Sequence, residues 1–216
     1  MTLLADVQAV HEDADLLVLQ KPAGLLCVPG RGPDKQDCLS ARAQQHWPGA
    51  LIVHRLDQAT SGLVLMARHI DAQRRLSHAF AERQVHKRYQ AVVWGLLAAQ
   101  EGAWNEINLP IAADWERRPL RVIDPAHGKP SLTHWRLLGH HPATGTSRIE
   151  LEPVTGRTHQ LRVHMATIGH PILGDALYAP AEVQTLAPRL LLHASHLAFA
   201  HPSTGEPLAL EWAADF

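Results

Sequence analysis

Two short stretches of this chain set charged residues beside glycine and between apolar flanks, an arrangement that can support chemistry. In His54-Arg55-Leu56-Asp57 a guanidinium and a carboxylate lie between the apolar runs Leu51-Ile52-Val53 and Leu63-Val64-Leu65-Met66-Ala67. A charged loop clamped between buried strands is held rigidly, as a catalytic carboxylate must be. The plain alternative is an Asp57 that caps its own turn through the amides of Thr60 or Gly62, or that pairs with Arg55. The second stretch is Gly156-Arg157-Thr158-His159-Gln160-Leu161-Arg162-Val163-His164. A glycine at an electropositive helix start can set Arg157 near an anion. The alternative is an ordinary amphipathic helix with Arg157 and Arg162 in water.

Sixteen histidines invite a metal reading. His159 and His164 are five residues apart, so a helix turns them away from each other instead of stacking them on one face. Neither cysteine, Cys27 or Cys38, clusters with a histidine, and no His-x-x-x-His carries a neighbouring Glu. Scattered surface or hydrogen-bonded histidines explain the number better than a metal site. No Gly-x-x-x-x-Gly-Lys or Gly-x-Gly-x-x-Gly occurs, so nucleoside triphosphate or dinucleotide use has no support.

The elements that must hold these residues read mostly as strands. Val7 to His11 and Leu16 to Gln20 form two strands joined by the turn chemistry of Glu12-Asp13-Ala14-Asp15. Pro29 to Pro33 reads as a loop and Ser40 to His46 as a short helix capped by Ser40. Leu51-Ile52-Val53 and Leu63 to Ala67 are strands on either side of the first charged stretch. Asp71 to Gln84 is the clearest helix, with Ala72, Leu76, Ala79 and Phe80 at helical spacing. Tyr89 to Leu96 returns to strand, and Pro110 to Pro130 is a long loop. Leu132 to Leu138 and Ser147 to Glu152 make a hairpin around His141 to Gly145. A helix runs from Gly156 to Ile168, stopped by Gly169 and Pro171. Ser195 to Ala200 and Leu208 to Trp212 close the chain as another hairpin. Hairpins with a few helices predict an α+β chain with a central mixed, mostly antiparallel sheet, flanking helices and no linker, hence a single domain over residues 1–216.

Composition narrows the class. The chain has 216 residues, 46% hydrophobic and 19% charged, which is that of an ordinary globular protein. Its apolar runs are too short to span a bilayer, its N-terminus lacks a cationic leader, and two cysteines without a Cys-x-x-Cys pair predict free thiols in a reducing cytoplasm. Net charge is −1, but Arg68 to Gln90 carries six basic residues against two acidic ones, a local excess of four. Such a face can meet a polyanion or simply be solvated.

Beyond these physical readings, the motifs resemble a known family. His54-Arg55-Leu56-Asp57-x-x-Thr60-Ser61-Gly62, Lys87-Arg88-Tyr89-x-Ala91-x-Val93-x-Gly95 and Gly156-Arg157-x-His159-Gln160-Leu161-Arg162-x-His164 stand in the order found in the RluA family of pseudouridine synthases. Lys21-Pro22-x-Gly24-Leu25 and Gly169-His170-Pro171-Ile172-Leu173-Gly174-Asp175-x-x-Tyr178 fit as well, so the resemblance covers nearly the whole chain. Less specifically, Leu109-Pro110-Ile111-x-x-Asp114-Trp115-x-x-Arg118-Pro119 is similar to members without an N-terminal S4 domain, which modify a tRNA anticodon stem-loop and a 23S rRNA hairpin.

The resemblance implies a pseudouridine synthase fold and isomerisation of uridine, with no metal and no cofactor, by a cytoplasmic monomer. It assigns the essential carboxylate to Asp57, the cation that keeps it ionised to Arg157, and the active-site tyrosine to Tyr89, for which a core strand aromatic is the structural alternative. Leu161 matches the aliphatic wall of the base pocket, and Arg55 the arginine that enters the RNA where the base is extruded. Asp57 and Arg157 are then expected to face each other across a basic cleft. Two other readings compete: a non-catalytic RNA-binding relative, and a metal-dependent hydrolase suggested by the histidines.

Overall fold

The computed structural model describes residues 7–216, and the chain divides into two compact units. Of the described residues, the first comprises 7–86 and 194–214, the second 87–193 and 215–216. The chain passes between them at the start of strand β5 (His86–Trp94) and again inside β11 (Leu192–Ala200).

In the first unit β1 (Gln8–Glu12), β2 (Leu16–Lys21), β4 (Ser61–Ala67) and β11 lie side by side in that order. The two-residue β3 (Leu51–Ile52) pairs with β4, and β12 (Pro207–Glu211) with β11. Leu16 opposes Ala67 and Lys21 opposes Gly62 in an antiparallel register. Every residue of β4 is buried, which is why it reads as an unbroken apolar run without alternation. Helix α2 (Ile70–Ala81) lays Ala72 and Leu76 against Leu16, Val18, Leu63 and Leu65, with Leu197 and Phe199 of β11 in the same cluster. The β1–β2 turn works as its aspartates predict: one oxygen of Asp13 accepts the amides of Asp15 at 2.8 Å and Leu16 at 2.9 Å.

Helix α1 (Leu39–His46) corrects one expectation. Its cap is Cys38, whose sulfur accepts the Ala41 amide, while Ser40 lies inside the first turn. A thiol is a weak acceptor and is not read as a cap from sequence. The α2 helix stops three residues short of Gln84, and Arg83 takes a left-handed φ of 58° just beyond it.

In the second unit β5, β10 (Thr146–Pro153), β9 (Leu132–His141) and β6 (Trp104–Asn108) are neighbours in that order. Strand β10 runs antiparallel to both β5 and β9. Sequence reading passes over β6, because only Ile107 of its Trp-Asn-Glu-Ile-Asn is buried. The stretch from Pro110 to Pro130, expected to be a loop, contains a small antiparallel hairpin of β7 (Ile111–Ala113) and β8 (Arg121–Ile123). Three-residue strands are too short to show a period. Helix α3 (Gln160–Thr167) begins later than expected and buries Gln160, Leu161, Arg162, Val163, His164 and Met165 together. Beyond Gly169, at a left-handed φ of 86°, comes the short α4 (Ala181–Gln184). The class is α+β with a mostly antiparallel sheet, as the hairpin order predicts.

Candidate active site

Asp57 sits in the first unit on the connection from β3 to β4, half-buried, in a turn closed by the Thr60 amide on the Asp57 carbonyl at 3.1 Å. Three neighbours fix that turn. The Gly24 amide donates to the Gln58 carbonyl, the Leu56 amide donates to the Cys27 sulfur at 3.1 Å, and the Lys21 ammonium donates to the carbonyls of Pro22, Leu25 and Gln58. Lys21 has no exposed surface, and all three of its N–H donors are spent on backbone oxygens. Burial lowers its pKa to about 8, against the pull of the Cys27 sulfur and the Asp57 carboxylate, which favour the ammonium. Residue reading gave Lys21 no role; its signal was a lysine closing an otherwise buried apolar strand.

His54 and Arg55 divide the remaining work of the loop. The Leu65 amide donates to His54 Nε2 at 2.9 Å, so that nitrogen carries no proton, and the ring stacks on Phe80 at 4.5 Å. Arg55, by contrast, is exposed. One side of the motif is thereby anchored to β4 and α2 while the arginine is left to solvent. Gly62 sits at φ 113°, and a Cβ there would fall 2.3 Å from the Ala194 carbonyl oxygen on β11. The glycine of Thr60-Ser61-Gly62 is thus dictated by close backbone approach.

The second unit holds the other residues singled out from sequence. Tyr89 is half-buried on β5, opposite Leu151 of β10, on the face that also carries Lys87 and the buried Ala91 and Val93. Desolvation pushes the Lys87 amine below its usual pKa. Arg157 is half-buried in the turn before α3, its Nε donating to the Pro130 carbonyl. Gln160 builds that turn: its Oε1 accepts the Arg157 amide at 3.0 Å and the Thr155 hydroxyl at 2.8 Å, while Nε2 donates to the Leu132 carbonyl and to Thr133 Oγ1. Leu161, one residue on, is 7% exposed.

The amphipathic alternative for α3 fails at Arg162. Its guanidinium is buried and makes a two-point ion pair with Asp175, at 2.8 and 2.6 Å. His164 is also buried: Nε2 donates to the Leu109 carbonyl at 3.0 Å, so Nδ1 accepts the Thr133 hydroxyl at 2.9 Å. Polar residues facing inward from a short helix explain why sequence periodicity misleads here.

Among the described residues one group, Asp13, Asp15 and His201, lies close enough to hold a cation. The donor set does not suit it. His201 Nδ1 accepts the amides of Ser203 and Thr204, so Nε2 carries the proton that it shares with Asp13. His69 repeats the pattern, capping α2 through Nδ1 and meeting Asp15 through Nε2 at 2.8 Å. Burial would raise the Asp13 pKa, but hydrogen bonds from His11, two backbone amides and His201 bring it down to about 2. The group is a proton-bridged clasp between two turns.

Each unit thus holds its own singled-out residues on fixed backbone: Asp57 and the exposed Arg55 on the clamped turn of the first, Tyr89 on β5 and Arg157 in the turn before α3 of the second. Comparison with known proteins decides the family. Residues 15–167 match the RNA pseudouridylate synthase family. This chain belongs to that family. The pseudouridylate synthases it is similar to include the dual-specificity RNA pseudouridine synthase RluA of Pasteurella multocida (strain Pm70), 48% identical over 200 residues, covering 93% of this chain and 90% of that one. The protein of the same name from Escherichia coli (strain K12) is 44% identical over 207 residues, covering 96% and 93%. Among solved structures, human RNA pseudouridylate synthase domain containing 1 superposes with a TM-score of 0.79 at 30% identity, covering 96% of this chain and 83% of that one. The shared fold is the pseudouridine synthase fold expected from the motifs. No helix among the described residues is long and apolar enough to cross a membrane.

Proposed function

We propose that this pseudouridine synthase isomerises uridine in two structured RNAs, a tRNA anticodon stem-loop and a 23S rRNA hairpin, as a cytoplasmic monomer whose two units act as one catalytic domain without metal or cofactor. The dual target is the reading supported by the names of the relatives above. In the reaction the C1′–N1 bond of the uridine breaks, the uracil turns, and C1′ rejoins at C5; N1 gains a proton and C5 loses one. Asp57 is the catalytic carboxylate, acting on the sugar as a nucleophile, a base or a charge stabiliser. Arg157 supplies the positive charge that favours its ionised form. Tyr89 offers a ring for the uracil and a hydroxyl for the C5 proton, with Leu161 as the apolar wall. Arg55 fills the space the flipped base leaves, offsetting part of an unstacking cost of about a few kcal/mol.

The observation that carries this reading is the clamped Asp57 turn: a fully buried ammonium holds its backbone while the neighbouring Arg55 stays exposed. The test is site-resolved mapping of pseudouridine in unmodified tRNA and 23S rRNA incubated with the purified protein, alongside tritium release from 5-tritiated uridine in each. Modification of one uridine in each RNA is the expected result. Modification of only one RNA would reduce the reading to single specificity, and of neither would overturn it.

A further inference from the structure

The β7–β8 hairpin of the second unit forms one wall of a groove of about 740 Å³, and the Gly156-Arg157-Thr158 turn forms the other. The groove is lined about equally by polar and apolar surface, and its charged side chains are predominantly cationic. Arg121 and Lys129 line it beside Arg157, and its acid, Asp124, is engaged by the amides of Ala126 and His127. At its rim stands Trp115, 70% exposed, with the Arg118 guanidinium 4.0 Å from its ring centre. An indole held in the open against a guanidinium buries little area of its own, yet presents an aromatic surface beside fixed positive charge.

The walls are joined, so the groove exists before any ligand arrives. The Tyr178 hydroxyl accepts the Arg121 amide of β8 at 3.0 Å and shares a hydrogen bond with His159 Nδ1 at 2.6 Å. His159 holds a left-handed φ of 57°, a conformation that non-glycine residues seldom adopt. Ile111 and Lys129 exchange two backbone hydrogen bonds, and Arg157 reaches the Pro130 carbonyl. One hydroxyl thereby connects the hairpin to the turn that carries Arg157.

We propose that this groove is a nucleotide subsite: Trp115, backed by Arg118, stacks a base flanking the target uridine, and Arg121 and Lys129 take the phosphates of the same strand. Aromatic stacking with neighbouring cations is the chemistry by which unpaired nucleotides are held. It suits a loop nucleotide and not a paired one, whose faces are already covered. The subsite rests on the RNA-modifying reading above and extends it from the isomerised nucleotide to its neighbour.

The experiment uses fluorescein-labelled RNA stem-loops with one 5-tritiated loop uridine, intact or made abasic at each flanking loop position in turn. Anisotropy gives affinity and tritium release gives kcat and KM. Trp115→Ala is expected to weaken binding of the intact loop roughly ten-fold, with the loss in kcat/KM carried by KM, and Trp115→Phe to restore most of it. One abasic position should cost the wild type a similar factor and the Ala variant almost nothing. Lys129→Ala should lower the salt dependence of binding. Equal affinity of wild type and Trp115→Ala, or equal losses on every abasic RNA, would overturn the subsite. Anisotropy decides it without turnover, so absent tritium release would count against the isomerase reading alone.

Discussion

Asp57 and Asn are nearly isosteric, but only the carboxylate has negative charge and nucleophilicity. Asp57→Asn is therefore expected to reduce tritium release at least about a hundredfold while thermal unfolding and RNA affinity stay near wild type. Near-normal turnover would remove Asp57 from the chemistry. A second residue reports on stability. His164 is buried as a neutral donor and acceptor, and desolvation lowers its pKa against the opposing hydrogen bond to Leu109. Because the folded value is depressed, the unfolded chain takes up the proton first. The contribution of His164 is complete above about pH 6.5 and is lost as pH falls from there through the folded value. Denaturant unfolding at pH 7.5 and 5.5 should thus show a larger loss for wild type than for His164→Asn, the fifteen other histidines cancelling in the comparison.

The connection from β3 to β4 shows how an element carries a residue. Gly62, the second residue of β4, sets its α-carbon against the β11 backbone, and a methyl group there would meet both the carbonyl oxygen and the amide nitrogen of Ala194. Gly62→Ala is expected to cost at least about 2 kcal/mol from the unfavourable φ and the overlap combined, read as a lowered denaturation midpoint. A change under about 0.5 kcal/mol would show that β11 can yield. Helix α3 makes the complementary point. Removing one partner of a buried ion pair leaves the other charge unpaired, so Asp175→Asn, which strips Arg162 of its counter-charge, should destabilise by about 3 kcal/mol. The same substitution at the exposed Asp71 of α2, 3.5 Å from Arg74, should be within about 0.5 kcal/mol.

For the whole molecule the expected behaviour is that of a cofactor-free enzyme on structured RNA. Turnover should persist in excess EDTA, checked with the RNA fold monitored separately; a loss restored by zinc would revive the metal reading. Arg55→Ala should slow a structured stem-loop more than a flexible strand with the same uridine context, by about 1–3 kcal/mol in single-turnover rate constants. Equal proportional losses would make Arg55 a purely structural arginine. The sequence by itself determined the strand-rich α+β class, the β1–β2 hairpin, the clearest helix and the motif residues, because these depend on local spacing, turn chemistry and residue type. Only the tertiary structure decided which polar groups are buried. Lys21, Gln160, Arg162 and His164 look like ordinary surface residues until the backbones of other segments surround them. Burial depends on contacts distant in sequence, and so does the Cβ-free space at Gly62. The hairpin in residues 110–130 was hidden for the same reason: its three-residue strands gain their order from Lys129, Tyr178 and the Asp124 turn.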